Sequence, residues 1–132
     1  MDAQDNRGLT PLHLAISEWR IKVTQLLLEH GANVDVQNNE GSTPLHMAAS
    51  KGETRIAELL LERGANVHVQ NNKGSTPLHL AASNGENQVI QLLRDRGADV
   101  HVQNNEGQTA LQVSPQWLKD LLSEHEQNVR AV

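Results

Sequence analysis

The sequence predicts an all-α fold of the solenoid type, and three observations carry that expectation. A Thr-Pro-Leu-His tetrad stands at Thr10-Pro11-Leu12-His13, Thr43-Pro44-Leu45-His46 and Thr76-Pro77-Leu78-His79, and a worn copy, Thr109-Ala110-Leu111-Gln112, closes the series. The copies lie about 33 residues apart, and a glycine precedes each by two residues: Gly8, Gly41, Gly74 and Gly107. After each tetrad come apolar residues at helical spacing, too few in any one unit to enclose a core. Units of that size bury their apolar faces only by stacking on one another.

Composition narrows the function. The chain has 132 residues and no cysteine, which excludes a disulfide framework and thiolate chemistry and suits a reducing compartment. A cytoplasmic location is expected. No N-terminal apolar run resembles a signal peptide, and no stretch is long enough to cross a bilayer, so no membrane partner is expected. The net charge of −5 works against nucleic acid, whose phosphates call for a basic stripe. With no Phe or Tyr, a stacking platform for single strands is not expected either. The core must be built from Leu, Val, Ile and Ala, with Trp19 and Trp117 the only aromatics.

Taken in order, residues 1–4 form a polar tail, and the first unit covers residues 5–37. Asn6-Arg7-Gly8 signals a turn. Thr10 is suited to cap a helix with its hydroxyl, and Pro11 suits the first helical position, where a missing N–H costs nothing. Leu12, Ala15 and Ile16 follow at helical spacing. A second helix over about residues 21–29 is expected to turn Val23, Leu26 and Leu27 toward the stack, with Gly31 ending it. The second unit, residues 38–70, repeats the plan: Thr43 and Pro44 open a helix, Gly52 permits the reversal, and Ile56, Leu59 and Leu60 line the next helix. The third, residues 71–103, does the same with Thr76, Pro77, Gly85, Val89, Leu92 and Leu93. Between units, valines alternate with polar residues at Val34/Val36, Val67/Val69 and Val100/Val102. Such period-two alternation predicts extended segments leading into hairpin-like fingers. The fourth unit, residues 104–132, departs from the plan because Pro115 falls where its first helix should continue. Ser114-Pro115 is read as a new cap and first turn, opening a terminal helix over residues 116–127 that closes the stack.

The pattern Gly-X-Thr-Pro-Leu-His-X-Ala-Ala at residues 41–49 and 74–82 resembles the ankyrin repeat family. So does Leu-Leu-Leu-Glu-X-Gly-Ala-Asn-Val at residues 26–34 and 59–67. The resemblance implies helix–turn–helix units joined by β-hairpin loops, four in number with the last truncated. It also implies a concave surface of finger tips and first helices that binds another protein, without catalysis. Carried over position by position, that surface comprises Arg7, Leu9, Ser17, Glu18, Trp19, Asn39, Glu40, Ser42, Ser50, Lys51, Asn72, Lys73, Ser75, Ser83, Asn84, Asn105, Glu106 and Gln108. Large anchors stand only in the first unit, as Arg7, Leu9 and Trp19, and Trp and Arg supply much of the energy at interfaces. Three departures matter: Asn38, Asn71 and Asn104 replace the family's Asp before the finger glycine; Trp19 stands where Gly52 and Gly85 make the inter-helix turn; and Asp35, His68 and His101 replace an Asn.

The other constellations have simpler explanations. The tetrad histidines recur because each unit needs the same hydrogen bonds. His68 and His101 sit one unit apart, on the order of 10 Å, too far to share a zinc ion. No phosphate-binding loop is present, no nucleophile–base arrangement stands out, and neither cofactor nor metal is expected. The predicted function is a non-catalytic protein-interaction module, monomeric when alone. A rigid spacer or self-assembling unit, in a chain that is part of a larger multidomain protein, is the runner-up.

Overall fold

The protein is described by a computed structural model in which residues 1–120 are placed. Three helix pairs follow one another: α1 (Pro11–Ser17) with α2 (Ile21–Glu29), α3 (Pro44–Lys51) with α4 (Thr54–Glu62), and α5 (Pro77–Ser83) with α6 (Asn87–Asp95). A four-residue helix, α7 (Ala110–Val113), begins a fourth. Helices α1, α3, α5 and α7 pack in one row, and α2, α4 and α6 in a second row behind it.

The tetrads open the first-row helices as their chemistry requires. Thr10, Thr43 and Thr76 sit in extended backbone, and their hydroxyls accept from the backbone N–H of His13, His46 and His79. Each histidine returns a bond, its Nδ1 accepting from the threonine N–H at 3.1 Å. This reciprocal arrangement satisfies two donors that a helix start leaves free. Because Nδ1 accepts, the proton is on Nε2, which donates across to the next unit: His13 to the Ser42 carbonyl, His46 to Ser75 and His79 to Gln108. One side chain thus closes a helix and stitches two units together. Gln112 reproduces only the local half, its Oε1 accepting from the Thr109 N–H at 2.8 Å. Burial holds the His13 and His46 imidazoles below their ordinary pKa, against opposing hydrogen bonds to Ser42 and Ser75.

The core is aliphatic. Leu12, Ile16, Leu45, Ile56, Leu60, Val89 and Leu93 are its largest enclosed aliphatic side chains in these pairs, with Ala48, Ala49, Ala81 and Ala82 permitting close approach between rows. One expectation for α2 is corrected. Val23 and Leu26 do not face a packed neighbour: they are 40% and 54% exposed, whereas their counterparts Ile56 and Leu59 are 1% and 7% exposed. Among the described residues no helix pair precedes α1 and α2, and these two residues are left uncovered. In α2 the buried positions are Thr24 and Leu28, and the Thr24 hydroxyl is satisfied by the Arg20 carbonyl.

The connections between pairs are turns; among the described residues there is no strand. The finger is an Asx-stabilised loop in which Asn38 Oδ1 accepts from the N–H of Glu40 and Ser42. Asn71, Asn104 and Asp5 do the same. Since only an acceptor oxygen is needed, Asn serves as well as Asp. Fingers join neighbours by a backbone bond from Asn39 to Arg7, from Asn72 to Glu40 and from Asn105 to Lys73, and by the amides of the same three asparagines. Valine alternation was therefore a sign of one buried side, not of a β ladder.

Trp19 adopts φ +60°, the left-handed conformation that Gly52 and Gly85 take at +69° and +68°. The chain reversal is the same in all three units, so the tryptophan bears the strain of a side chain there. Trp19→Gly is expected to raise the unfolding free energy by about 1 kcal/mol, seen as a higher thermal midpoint; a lower midpoint would show that the indole contributes more by packing than its backbone loses.

At the far end, Ser114 does not cap the terminal helix as its position suggests. Its hydroxyl donates to the Ala110 carbonyl of α7 at 2.8 Å. Residues 116–120 are helical, Leu118 is fully buried, and the Trp117 ring lies against Gly85, where an added Cβ would approach it to 2.7 Å. The remainder of the expected terminal helix lies outside the described residues.

Candidate protein-docking cleft

The fingers and first-row helices of the second and third units enclose a cleft of about 600 Å³. It is lined by Asn38, Asn39, Glu40, Ser42, His46, Met47, Ser50, Lys51, Asn71, Asn72, Lys73, Ser75 and Leu80. Eight of the residues expected on the binding surface are brought together here: Asn39, Glu40, Ser42, Ser50, Lys51, Asn72, Lys73 and Ser75. Ser42 and Ser75 are buried and their carbonyls are taken by His13 and His46, so they form the wall and leave little side chain to a ligand. Arg7, Ser17, Glu18 and Trp19 lie on the first unit outside this cleft, all exposed. Ser83, Asn84, Asn105, Glu106 and Gln108 lie beyond its other edge. Asn84 reaches back, its amide donating to the carbonyl and hydroxyl of Ser50. Leu9 is buried and belongs to the packed interior; of the three anchors expected in the first unit, Trp19, 61% exposed, and Arg7 are the ones at the surface.

The apolar floor of the cleft, Met47 and Leu80, was missed in the sequence. Its signal is there: the residue after each tetrad is Leu14, Met47, Leu80 and Val113, one large apolar side chain per unit on the finger side of the first-row helices. Met47, Leu80 and Val113 are half-buried and Leu14 is exposed. Met47 and Leu80 share the cleft lining, and Leu14 and Val113 hold the same register position in the first and fourth units. Beside it the finger tips carry Arg7, Glu40, Lys73 and Glu106, all exposed and alternating in sign from unit to unit. Lys51 stands at the end of α3 on the cleft's other margin. Among the described residues the ion pairs are Arg7–Asp5, Arg20–Glu18 and Arg55–Glu58; Lys51 and Lys73 enter none of them. A shallow channel with an apolar bottom and charged margins suits an elongated protein segment better than a small molecule, which binding pockets normally enclose.

Stacked helix pairs, projecting fingers and an open channel along one side define a helical repeat scaffold. The chain belongs to the ankyrin repeat family. The family description "Ankyrin repeats (3 copies)" matches residues 1–71 and "Ankyrin repeats (many copies)" matches residues 60–114. Members of this family generally serve protein–protein interaction and are typically non-catalytic. No curated protein matches the chain. Among the described residues no helix is long and apolar enough to cross a membrane.

Proposed function

We propose that this chain is a non-catalytic docking module that holds an elongated segment of another protein along the channel between its fingers and its first-row helices. The observation that carries this reading is the apolar pair Met47 and Leu80 in the cleft lining beside finger tips of alternating charge. A matching segment sets an apolar side chain between Met47 and Leu80, with carboxylates near Lys51 and Lys73 and a cation near Glu40. Apolar contacts at the floor supply affinity, and the tip charges set register and encounter rate. A standard interface takes about 800 Å² from each partner, so the segment must span more than the central cleft. The cysteine-free composition suits the reducing cytoplasm as the place of this contact.

Site-specific photo-crosslinking tests it. A benzophenone side chain placed at Lys51 or Lys73 is expected to capture the same partner from cell extract, and one placed at Gln91 on the second row is not. Met47→Glu should abolish the capture, and Lys51→Glu with Lys73→Glu should weaken it about tenfold, most at low salt. Equal capture from both rows, or capture indifferent to Met47→Glu, would remove the channel from consideration.

A further inference from the structure

We infer that the junction between the first and second units is a hinge, which turns on the fingers and opens at the helix-reversal edge to bring Glu53 into water. The two edges of this junction are held differently. At the fingers the Asn39 N–H donates to the Arg7 carbonyl, the Asn39 amide to Asn6, and His13 Nε2 to Ser42. At the other edge each pair reverses from its first helix to its second. There, among the described residues, no side-chain hydrogen bond or ion pair joins the first two units. The next junction has two such bonds: the Asn84 amide donates to the Ser50 carbonyl at 2.9 Å, and the Thr54 hydroxyl to Gln88 at 3.3 Å. One unit earlier, Lys51 and Ile21 stand in place of those donors.

The looser edge is also obstructed. A Cβ on Gly52 would run into the Glu86 carboxylate, yet Trp19 carries a side chain at the Gly52 register and in the same left-handed conformation. The first junction therefore cannot close around its glutamate as the second does. That glutamate, Glu53, is buried with neither carboxylate oxygen hydrogen-bonded. Swinging this edge apart hydrates the carboxylate, which removes the cost of burying an unpaired charge, and leaves the finger bonds in place.

The hinge answers to protons. In the closed junction desolvation raises the Glu53 pKa from 4.5 to about 6, with the Lys51 ammonium pulling the other way. In the open one the hydrated carboxylate returns to its ordinary value. The open fraction therefore rises with pH between 4.5 and about 6 and levels off above. The other charges at this edge are exposed and paired locally, Glu18 with Arg20 and Arg55 with Glu58, while Glu86 lies in the following junction. At the finger edge His13 has the opposite sign: burial lowers its pKa, so acid loosens its bond. A junction that tightens on acidification identifies Glu53.

The chain has no cysteine, so a single thiol can be placed as a probe. Ile56 is buried where its counterpart Val23, with no pair ahead of it among the described residues, is exposed; the first unit is what covers it. Ile56→Cys thus reads the first junction and Val89→Cys, its counterpart, the second. Protection from a dipyridyl disulfide is measured against a short cysteine peptide at the same pH. At pH 7.5 Ile56→Cys should be the less protected. Moving to pH 5 should raise its protection about eightfold, as the open and closed pKa values require, and should not raise that of Val89→Cys. Adding Glu53→Gln should raise it at pH 7.5 by up to about thirtyfold and remove the rise on acidification. Leu59→Cys repeats the reading at a second covered position. Equal protection at the two junctions, or protection at Ile56→Cys indifferent to acid and to Glu53→Gln, overturns the inference. Amide exchange separates hinging from unfolding. Bonds such as Thr24 N–H to the Arg20 carbonyl stay closed in a hinge, so exchange in α1 and α2 as fast as thiol labelling overturns it too.

Discussion

Replacing His46 by Ala is expected to lower the unfolding free energy by about 3 kcal/mol, because two buried backbone groups lose their partner at once. The Thr43 N–H bonds the imidazole Nδ1, and the Ser75 carbonyl accepts from Nε2 at 2.8 Å. Both lie in the interior, where water does not replace the lost bonds. His46→Gln separates the two contributions. The fourth unit already uses Gln112 for the local bond, so Gln at position 46 keeps the helix cap and forfeits the stitch to the next unit. About half the loss is expected to remain. Denaturant unfolding followed by circular dichroism reads both; equal losses for Ala and Gln would mean that the inter-unit bond alone matters.

Glu53→Gln is expected to stabilise the protein at neutral pH by up to about 2 kcal/mol. Glu53 is only 5% exposed, and both carboxylate oxygens are buried without a hydrogen-bond partner. Desolvation pushes its pKa from 4.5 up to about 6, with the Lys51 ammonium pulling weakly the other way. A raised carboxyl pKa means that the folded chain holds a proton the unfolded chain has released. Between pH 4.5 and about 6, stability therefore falls as pH rises; above that window both states are ionised and the full penalty persists. The amide carries no charge to desolvate, so its advantage should be largest above pH 6 and fade below pH 5. His13 and His46 act in the opposite sense. Their pKa values are lowered, so below 6.5 the unfolded chain takes up protons first and stability is lost as pH falls. In the parent chain the Glu53 gain partly offsets that loss on the acid side. The Gln variant should then lose stability more steeply as pH falls from about 6 to 4.5. Urea unfolding across pH 4.5 to 8 checks the sign, and parallel pH profiles for the two chains would show that Glu53 is not the group responsible.

The burial of Glu53 depends on its neighbours in a way that a single unit does not disclose. Its counterpart Glu86 is half-buried, with its carboxylate against the bare backbone of Gly52. One unit earlier, Gly52 is replaced by Trp19. The equivalent junction between the first two units therefore has an indole where the next has a glycine. The two glutamates occupy the same register position and meet different surroundings.

Much of the fold was readable beforehand because a repeat states its geometry several times over. The tetrad, its proline at the first helical position and the glycine reversals each specify backbone conformation locally, and the caps on α1, α3 and α5 follow directly. The channel was half readable. Finger-tip positions such as Glu40 and Lys73 follow from the period, but Met47 and Leu80 were passed over because an apolar residue on a helix reads equally as core. Val23 and Leu26 show the same limit from the other side: their spacing is identical to that of Ile56 and Leu59, and their surroundings are not.

The period and the tetrad chemistry are local properties, carried by bonds within a few residues, and from them the helix pairs, their caps and their stacking order follow. Which apolar positions end in the core, which carboxylate is stranded without a partner, and where the stack lies open are properties of contacts between units. The same residue type at the same register is enclosed with a neighbour on both sides and exposed at an end, because burial is a matter of what covers a surface rather than of the surface itself.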